Sequence, residues 1–275
     1  AGTGPARLFN QRVLGLDPRR PLPTCARQTF TDEWTGPPTP GDVALFADTF
    51  SNYFEPTHLR AAAHLAQRLS ARVEIAPRVC CGRPLISRGL LDEAAAQAAA
   101  TTRALWPLAE RGVPVLFCEP SCYSAIRDDH PLLLRGAEQE RARAVAATCR
   151  LFDEWAGAEK ADLPLRSGPR RILVHGHCHQ QALAGTGATT ALLASVTDSE
   201  VIALDSGCCG MAGLFGYEHY DLSRAIGERR LLPAVRAADA DTAVVATGFS
   251  CRQQIAHFTG VSAYSPATLL ESLFS

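Results

Sequence analysis

Lysine is almost missing from this 275-residue chain: Lys160 is the only one, and arginine supplies the rest of its 27 basic residues. The imbalance reads as the trace of a GC-rich genome and points to no mechanism. Methionine is just as scarce. Met211 stands alone and the chain opens on Ala1, so it is expected to be a fragment or processed product, with something functional upstream. An excess of one charge is also lacking. The formal net charge of −1 gives no reason to expect nucleic acid or an anionic membrane as partner. No apolar run approaches the roughly 20 residues that a membrane-spanning helix needs. Nor does a basic-then-apolar amino terminus mark a secretory signal. The serines have no adjacent base, which leaves no hydrolase triad. No Walker lysine follows Gly207, Gly210, Gly213 and Gly216, so those glycines are read as structural.

Cysteine is what the chain has in excess, with ten. The length, the missing signal and two adjacent pairs argue against a disulfide framework, because bonding neighbouring cysteines strains the preferred geometry. A reduced cytoplasmic setting, with thiols used for metal or redox chemistry, fits better.

The cysteines repeat. Cys80-Cys81-Gly82 and Cys208-Cys209-Gly210 occupy matching places in two halves. Thr49 precedes Cys80 by 31 positions and Cys178 precedes Cys208 by 30. Cys122 follows Cys81 by 41 positions and Cys251 follows Cys209 by 42, each closing a Ser-Cys pair after an apolar run. The chain is therefore read as a duplicated unit, each copy built around a thiol cluster.

Residues 1–40 are rich in proline and read as a connector that wraps the first lobe or leads from a preceding domain. Residues 41–160 form the first, degenerate repeat and 161–275 the second, with a break at Glu159–Pro169. Strands are expected at Val43–Ala47, Arg72–Ala76, Val113–Phe117, Arg171–His175, Val201–Leu204 and Thr242–Ala246. Helices are expected at Thr57–Leu69, Leu91–Glu110, Glu138–Trp155, Gln180–Ser195, His219–Ala237 and Ala267–Phe274. The alternation predicts an α/β fold of two pseudo-symmetric repeats, with parallel-sheet cores flanked by helices and each lobe burying its own core. Ligands of such folds collect beyond the carboxyl ends of the strands, where the cysteines fall.

Cys178, Cys208, Cys209 and Cys251 form a complete four-thiolate set for zinc or an iron–sulfur cluster. In the first half Thr49 replaces the upstream thiol, leaving Cys80, Cys81, Cys118 and Cys122. There, a working site and a degenerate copy are equally good readings. His175, His177 and His179 surround Cys178, and strand alternation would set all three on one face. His177 and His179 flank the thiol and are the better candidates to stand beside a metal group. Arg252, next to Cys251, would ease the charge of a thiolate cluster. Cys25 and Cys149 lie outside the repeat and read as ordinary cysteines.

These residues resemble the cysteine-rich CCG-domain family, found in heterodisulfide reductase and in the iron–sulfur subunits of anaerobic glycerol-3-phosphate and glycolate dehydrogenases. The match runs from about Asp42 to the end. It includes the stretch Asp205 to Gly213 with Phe215-Gly216-Tyr217, His175-Gly176-His177-Cys178-His179, and Tyr264-Ser265-Pro266. The lead-in Leu14 to Pro23 is similar to that of proteins fusing an FAD-linked oxidase, a two-cluster ferredoxin segment and this domain, the D-lactate and other D-2-hydroxyacid dehydrogenases. The resemblance implies an electron-transfer module with an iron–sulfur cluster, of 4Fe–4S type. FAD and ferredoxin-like clusters would lie only upstream or in a partner. The acceptor would be a quinone or a carrier protein, leaving room for peripheral contact with the inner face of the membrane. The fullest family motif has five cysteines around a non-cubane cluster. Here Gly248 and Glu119 replace the first cysteine of its closing C-x-x-C, which favours an ordinary four-thiolate cluster or zinc. Two rivals remain: a zinc-bound docking module, and thiol–disulfide catalysis by the vicinal pairs.

Overall fold

A computed structural model describes residues 11–36, 40–159, 163 and 165–274. Among them, seven short parallel strands build two sheets. The first has the order β2-β1-β3-β4, from β1 (Val43–Leu45), β2 (Val73–Ile75), β3 (Val115–Phe117) and β4 (Cys149–Leu151). The second has the order β6-β5-β7, from β5 (Arg171–His175), β6 (Glu200–Ala203) and β7 (Thr242–Ala246). β2-β1-β3 and β6-β5-β7 follow the same path, so the duplication seen in the cysteines is repeated in the topology. β4 has a remnant of a counterpart as well. Tyr264 makes a parallel bridge to Val245 of β7, and each of these edge segments runs into a helix, Phe152–Ala158 or Pro266–Ser272.

The fold is thus α/β with two parallel-sheet cores flanked by helices. It differs from the expectation of a separate core in each lobe. Val43, Leu45 and Leu116 of the first sheet pack in one cluster with Ile172, Val174 and Val245 of the second. The helices Pro56–Arg68, Phe152–Ala158 and Pro266–Ser272 complete it with Leu59, Leu65, Trp155, Leu269 and Leu270. The opposite faces of the sheets carry smaller clusters, one holding Cys81 and Cys122, the other Cys209 and Cys251. The strands of the first sheet are only three residues long, and the shared core adds to the surface they bury.

Strands β5 and β7 and the helix Leu91–Glu110 have the bounds read from sequence, whereas three long helices do not survive intact. Glu138–Trp155 is interrupted by β4, because pairing with β3 and burial of Cys149 and Leu151 outweigh three residues of helical period. Gln180–Ser195 becomes Cys178–Leu183 and Gly187–Leu193, broken where Gly185 takes φ +71°. His219–Ala237 breaks between Tyr220–Glu228 and Leu231–Arg236, since Pro233 has no N–H to return to the Arg229 carbonyl.

The proline-rich lead-in lies partly outside the described residues, as does the break at Glu159–Pro169. Its described part touches both halves. Asp17 N–H donates to the Tyr217 carbonyl at 2.7 Å, and the buried Arg20 guanidinium lies over the rings of Tyr220 and Phe258. Phe30 then enters the shared core.

Candidate metal centre

The second-half cysteines come from three loops at the carboxyl ends of β5, β6 and β7. Cys178 opens the helix Cys178–Leu183, and Cys251 sits in the first turn of Phe249–Thr259. Cys208 and Cys209 lie on the loop after β6. Gly210 there has φ +97°, and a Cβ on it would come within 2.2 Å of the Ser223 carbonyl oxygen. Gln254 pins the same loop, its Nε2 donating to the Cys209 carbonyl at 2.9 Å and to the Ser223 carbonyl at 3.0 Å.

The four thiols form a continuous chain. Cys178 lies beside Cys208, and Cys209 lies between Cys208 and Cys251. The closeness of these thiols pushes Cys178 and Cys209 above the usual thiol range and draws Cys208 and Cys251 below it. Metal binds the thiolate form, so sulfurs drawn below the usual range suit a metal site. Cys251 also lies at the positive end of an 11-residue helix, which favours the anion. Burial grades across the set, from exposed Cys178 to buried Cys209 and Cys251.

His175, rather than either histidine that flanks Cys178, joins the buried pair. A ring nitrogen of His175 and the sulfurs of Cys209 and Cys251 all lie within 4.8 Å of one another. Its Nδ1 is 2.6 Å from Ser206 Oγ, while Nε2 is buried with no hydrogen-bond partner among the described residues. His177 has left the strand and caps the next helix, its Nδ1 accepting from His179 N–H at 3.2 Å, 3.9 Å from Cys178 Sγ. His179 Nδ1 lies 2.7 Å from Ser124 Oγ in the first half, and burial first, then Arg83, pulls its pKa down to about 4. The expected alternation ends at Gly176, so the three rings do not share one face. The period-two rule still held a signal: Ile172 and Val174 face the shared core, and His175 has the opposite parity.

Arg252 turns away from the thiols. Its guanidinium donates twice to Glu55 Oε2, at 3.0 and 2.9 Å, and to the Ala246 carbonyl at 2.7 Å. It ties the second half to the first.

In the first half Cys81 and Cys122 are buried with sulfurs 3.1 Å apart, and Cys81 donates. Cys80 is exposed, its carbonyl held by Thr101 Oγ1 at 2.7 Å and Gln97 Nε2 at 3.1 Å. Cys118 lies elsewhere. Following Phe117 it takes the other face of the sheet, packs on the shared core and lines a cavity of about 20 Å³ with Asp153 and Thr247. Thr247 is its counterpart in the repeat, so the duplication brings these two matched positions together. Thr49 stands where Cys178 stands in the other copy, and Asp48 caps its helix as His177 does.

Contacts that cross between the halves run past both sites. Glu119 Oε2 accepts from Phe249 N–H at 2.9 Å, capping the helix that carries Cys251. Ser124 Oγ meets both His179 Nδ1 and the Arg83 guanidinium, which donates at 2.7 Å from beside Gly82. The second site fits a metal group: its donors are soft thiols, and a buried imidazole nitrogen lies within 4.8 Å of two of them.

Residues 172–256 match a family described as "CCG: Cysteine-rich domain". The chain is 30% identical over 279 residues to a subunit of the anaerobic glycerol-3-phosphate dehydrogenase of Escherichia coli (strain K12), covering 97% of this chain and 69% of that protein. It is 29% identical over 222 residues to D-2-hydroxyglutarate dehydrogenase of Pseudomonas putida, covering 79% of this chain and 21% of that protein. The D-2-hydroxyglutarate dehydrogenase of Escherichia coli (strain K12) is 25% identical over 238 residues, with 83% and 22% covered.

Proposed function

The chain belongs to the cysteine-rich CCG-domain family, together with its relative from anaerobic glycerol-3-phosphate dehydrogenase, and from that premise we propose that it is the electron-transfer component of a flavin-linked dehydrogenase. Its second site holds an iron–sulfur cluster through Cys178, Cys208, Cys209 and Cys251. The observation that carries this reading is the convergence of four cysteines from three separate loops at the strand ends, with Cys209 and Cys251 buried side by side.

When bound, a cluster of this kind takes up and releases single electrons at a potential tuned by hydrogen bonds and burial. The protein's own residues do the rest. Gly210 and Gln254 set the loop, and the helix starting at Phe249 offers its positive end to Cys251. Burial of Cys209 and Cys251 keeps water from one side, while Cys178 faces outward, where a partner domain can approach.

The first site offers three thiols, Cys80, Cys81 and Cys122, and is read as a degenerate copy without a four-thiolate group. The domain boundaries 1–40, 41–160 and 161–275 are part of the same proposal. The parent enzyme would oxidise a secondary alcohol beside an acidic group, as the names of both kinds of relative imply, and FAD would lie upstream or in a partner. Electrons would leave to a quinone or carrier protein on the cytoplasmic side. No helix among the described residues is long and apolar enough to cross a membrane, so any membrane contact they make through helices would be peripheral.

One observation favours a second reading, a zinc-bound docking module. Tetrahedral zinc with bonds of about 2.0–2.3 Å sets its ligand atoms roughly 3.5 Å apart. The His175, Cys209 and Cys251 donors, within 4.8 Å, approach that spacing. Iron, acid-labile sulfide and zinc analysis of anaerobically purified protein, with a visible spectrum before and after dithionite, separates the two. Iron matched by sulfide and bleaching on reduction supports electron transfer; colourless protein with stoichiometric zinc overturns it.

A further inference from the structure

We propose that His175 binds the metal group of the second site directly through Nε2, adding one nitrogen donor beside the thiolates of Cys209 and Cys251. The inference rests on reading that site as a metal centre, and it assigns a donor that cysteine spacing does not reveal. His175 is the last residue of β5 and is fully buried. Since Ile172 and Val174 point into the shared core, strand alternation turns His175 to the opposite face, where Cys209 and Cys251 lie. A ring nitrogen and the two sulfurs lie within 4.8 Å of one another.

The ring is prepared for one role. Ser206 Oγ lies 2.6 Å from Nδ1 and donates its own proton to the Leu204 carbonyl at 3.4 Å. Oγ is then left to accept from Nδ1–H, which places the free lone pair on Nε2. Metal-bound imidazoles are held in this way, with the second nitrogen fixed by a hydrogen bond. Nε2 is buried with no well-formed hydrogen bond among the described residues, and the group nearest to serving it is the Cys251 sulfur of the site itself, so a metal held by that sulfur would satisfy both. The neighbouring rings are already engaged. His177 Nδ1 accepts from His179 N–H at 3.2 Å, and His179 Nδ1 meets Ser124 Oγ at 2.7 Å.

The test uses the chain labelled with ¹⁵N in histidine alone, purified anaerobically, reduced with dithionite and examined by pulsed electron paramagnetic resonance. One strongly coupled nitrogen is expected in the wild type. It should be lost in His175→Ala and retained in His177→Ala and His179→Ala, with iron still bound in all three. His175→Cys should restore a donor without the nitrogen and lower the midpoint potential, because a thiolate adds negative charge. If His175→Ala does not fold, a nitrogen coupling in the wild type that both His177→Ala and His179→Ala retain still supports the assignment, and its absence from the wild type overturns it. Iron bound with no strongly coupled nitrogen, or a coupling that persists in His175→Ala, overturns the assignment alone. If the metal is zinc, X-ray absorption replaces resonance. A nitrogen scatterer at about 2.0–2.1 Å that His175→Ala removes supports the assignment, and an all-sulfur shell overturns it. Protein that binds neither metal overturns the metal-centre reading itself, and His175 falls with it.

Discussion

Replacing Asp48 by asparagine removes a buried carboxylate while keeping the helix cap it makes. Asp48 is 2% exposed, and its Oδ1 accepts from the N–H groups of Phe50 and Ser51, both at 2.9 Å. Oδ2 is buried without a hydrogen-bond partner among the described residues. Burial first, and then the Glu119 carboxylate, push the Asp48 pKa up to about 7 from 3.8. Between roughly pH 4 and 7 the native chain keeps a proton that the unfolded chain has released. Stability is therefore complete below the unfolded pKa and falls as pH rises through about 7, by roughly 1.4 kcal/mol per unit. Across that window Asp48 costs the fold on the order of 4 kcal/mol. Asparagine caps a helix about as well as aspartate. Asp48→Asn should accordingly match the wild type in urea unfolding near pH 4 and exceed it by several kcal/mol near pH 8. Two stability–pH curves that run parallel over this range would refute the reasoning.

Other perturbations follow from the same geometry. Arg252→Met removes a buried guanidinium from Glu55 and the Ala246 carbonyl, and should cost about 3–5 kcal/mol of stability. Since the group faces away from the thiols, metal content per folded chain should not change; a loss of metal would contradict its placement. Gly210→Ala meets both the Ser223 carbonyl and an unfavourable φ, the latter alone costing about 1–3 kcal/mol. It should lower the melting temperature and the metal content together, whereas Gly207→Ala, with open space around it, should suffer only the backbone penalty.

Much of this molecule is legible in the sequence, because duplication and strand period leave marks that do not depend on tertiary context. β5 and β7 are five apolar-rich residues each, and both keep their expected bounds. The helix Leu91–Glu110 does too, its alanine-rich interior tolerating Pro107. β4 is invisible by comparison, since Cys149–Leu151 are three residues between two helical patterns and only their pairing with β3 makes them a strand. At the site, spacing along the chain predicts which cysteines share a loop but not which face of a sheet a strand-end residue takes. Cys118 and His175 depend on that parity: Cys118 goes to the shared core and His175 to the thiols. Arg252 depends on something sequence does not display at all, a glutamate almost 200 residues away that meets it across the two halves.

The most direct measurement is iron and sulfide per chain in two double variants, Cys209→Ser/Cys251→Ser and Cys81→Ser/Cys122→Ser, beside the wild type. Circular dichroism should accompany it to establish that each is folded. The account predicts that the first variant loses iron, sulfide and the dithionite-bleached absorption, and that the second retains them. Iron kept by the first variant, or lost only from the second, would contradict the claim that the second-half thiols hold the cluster.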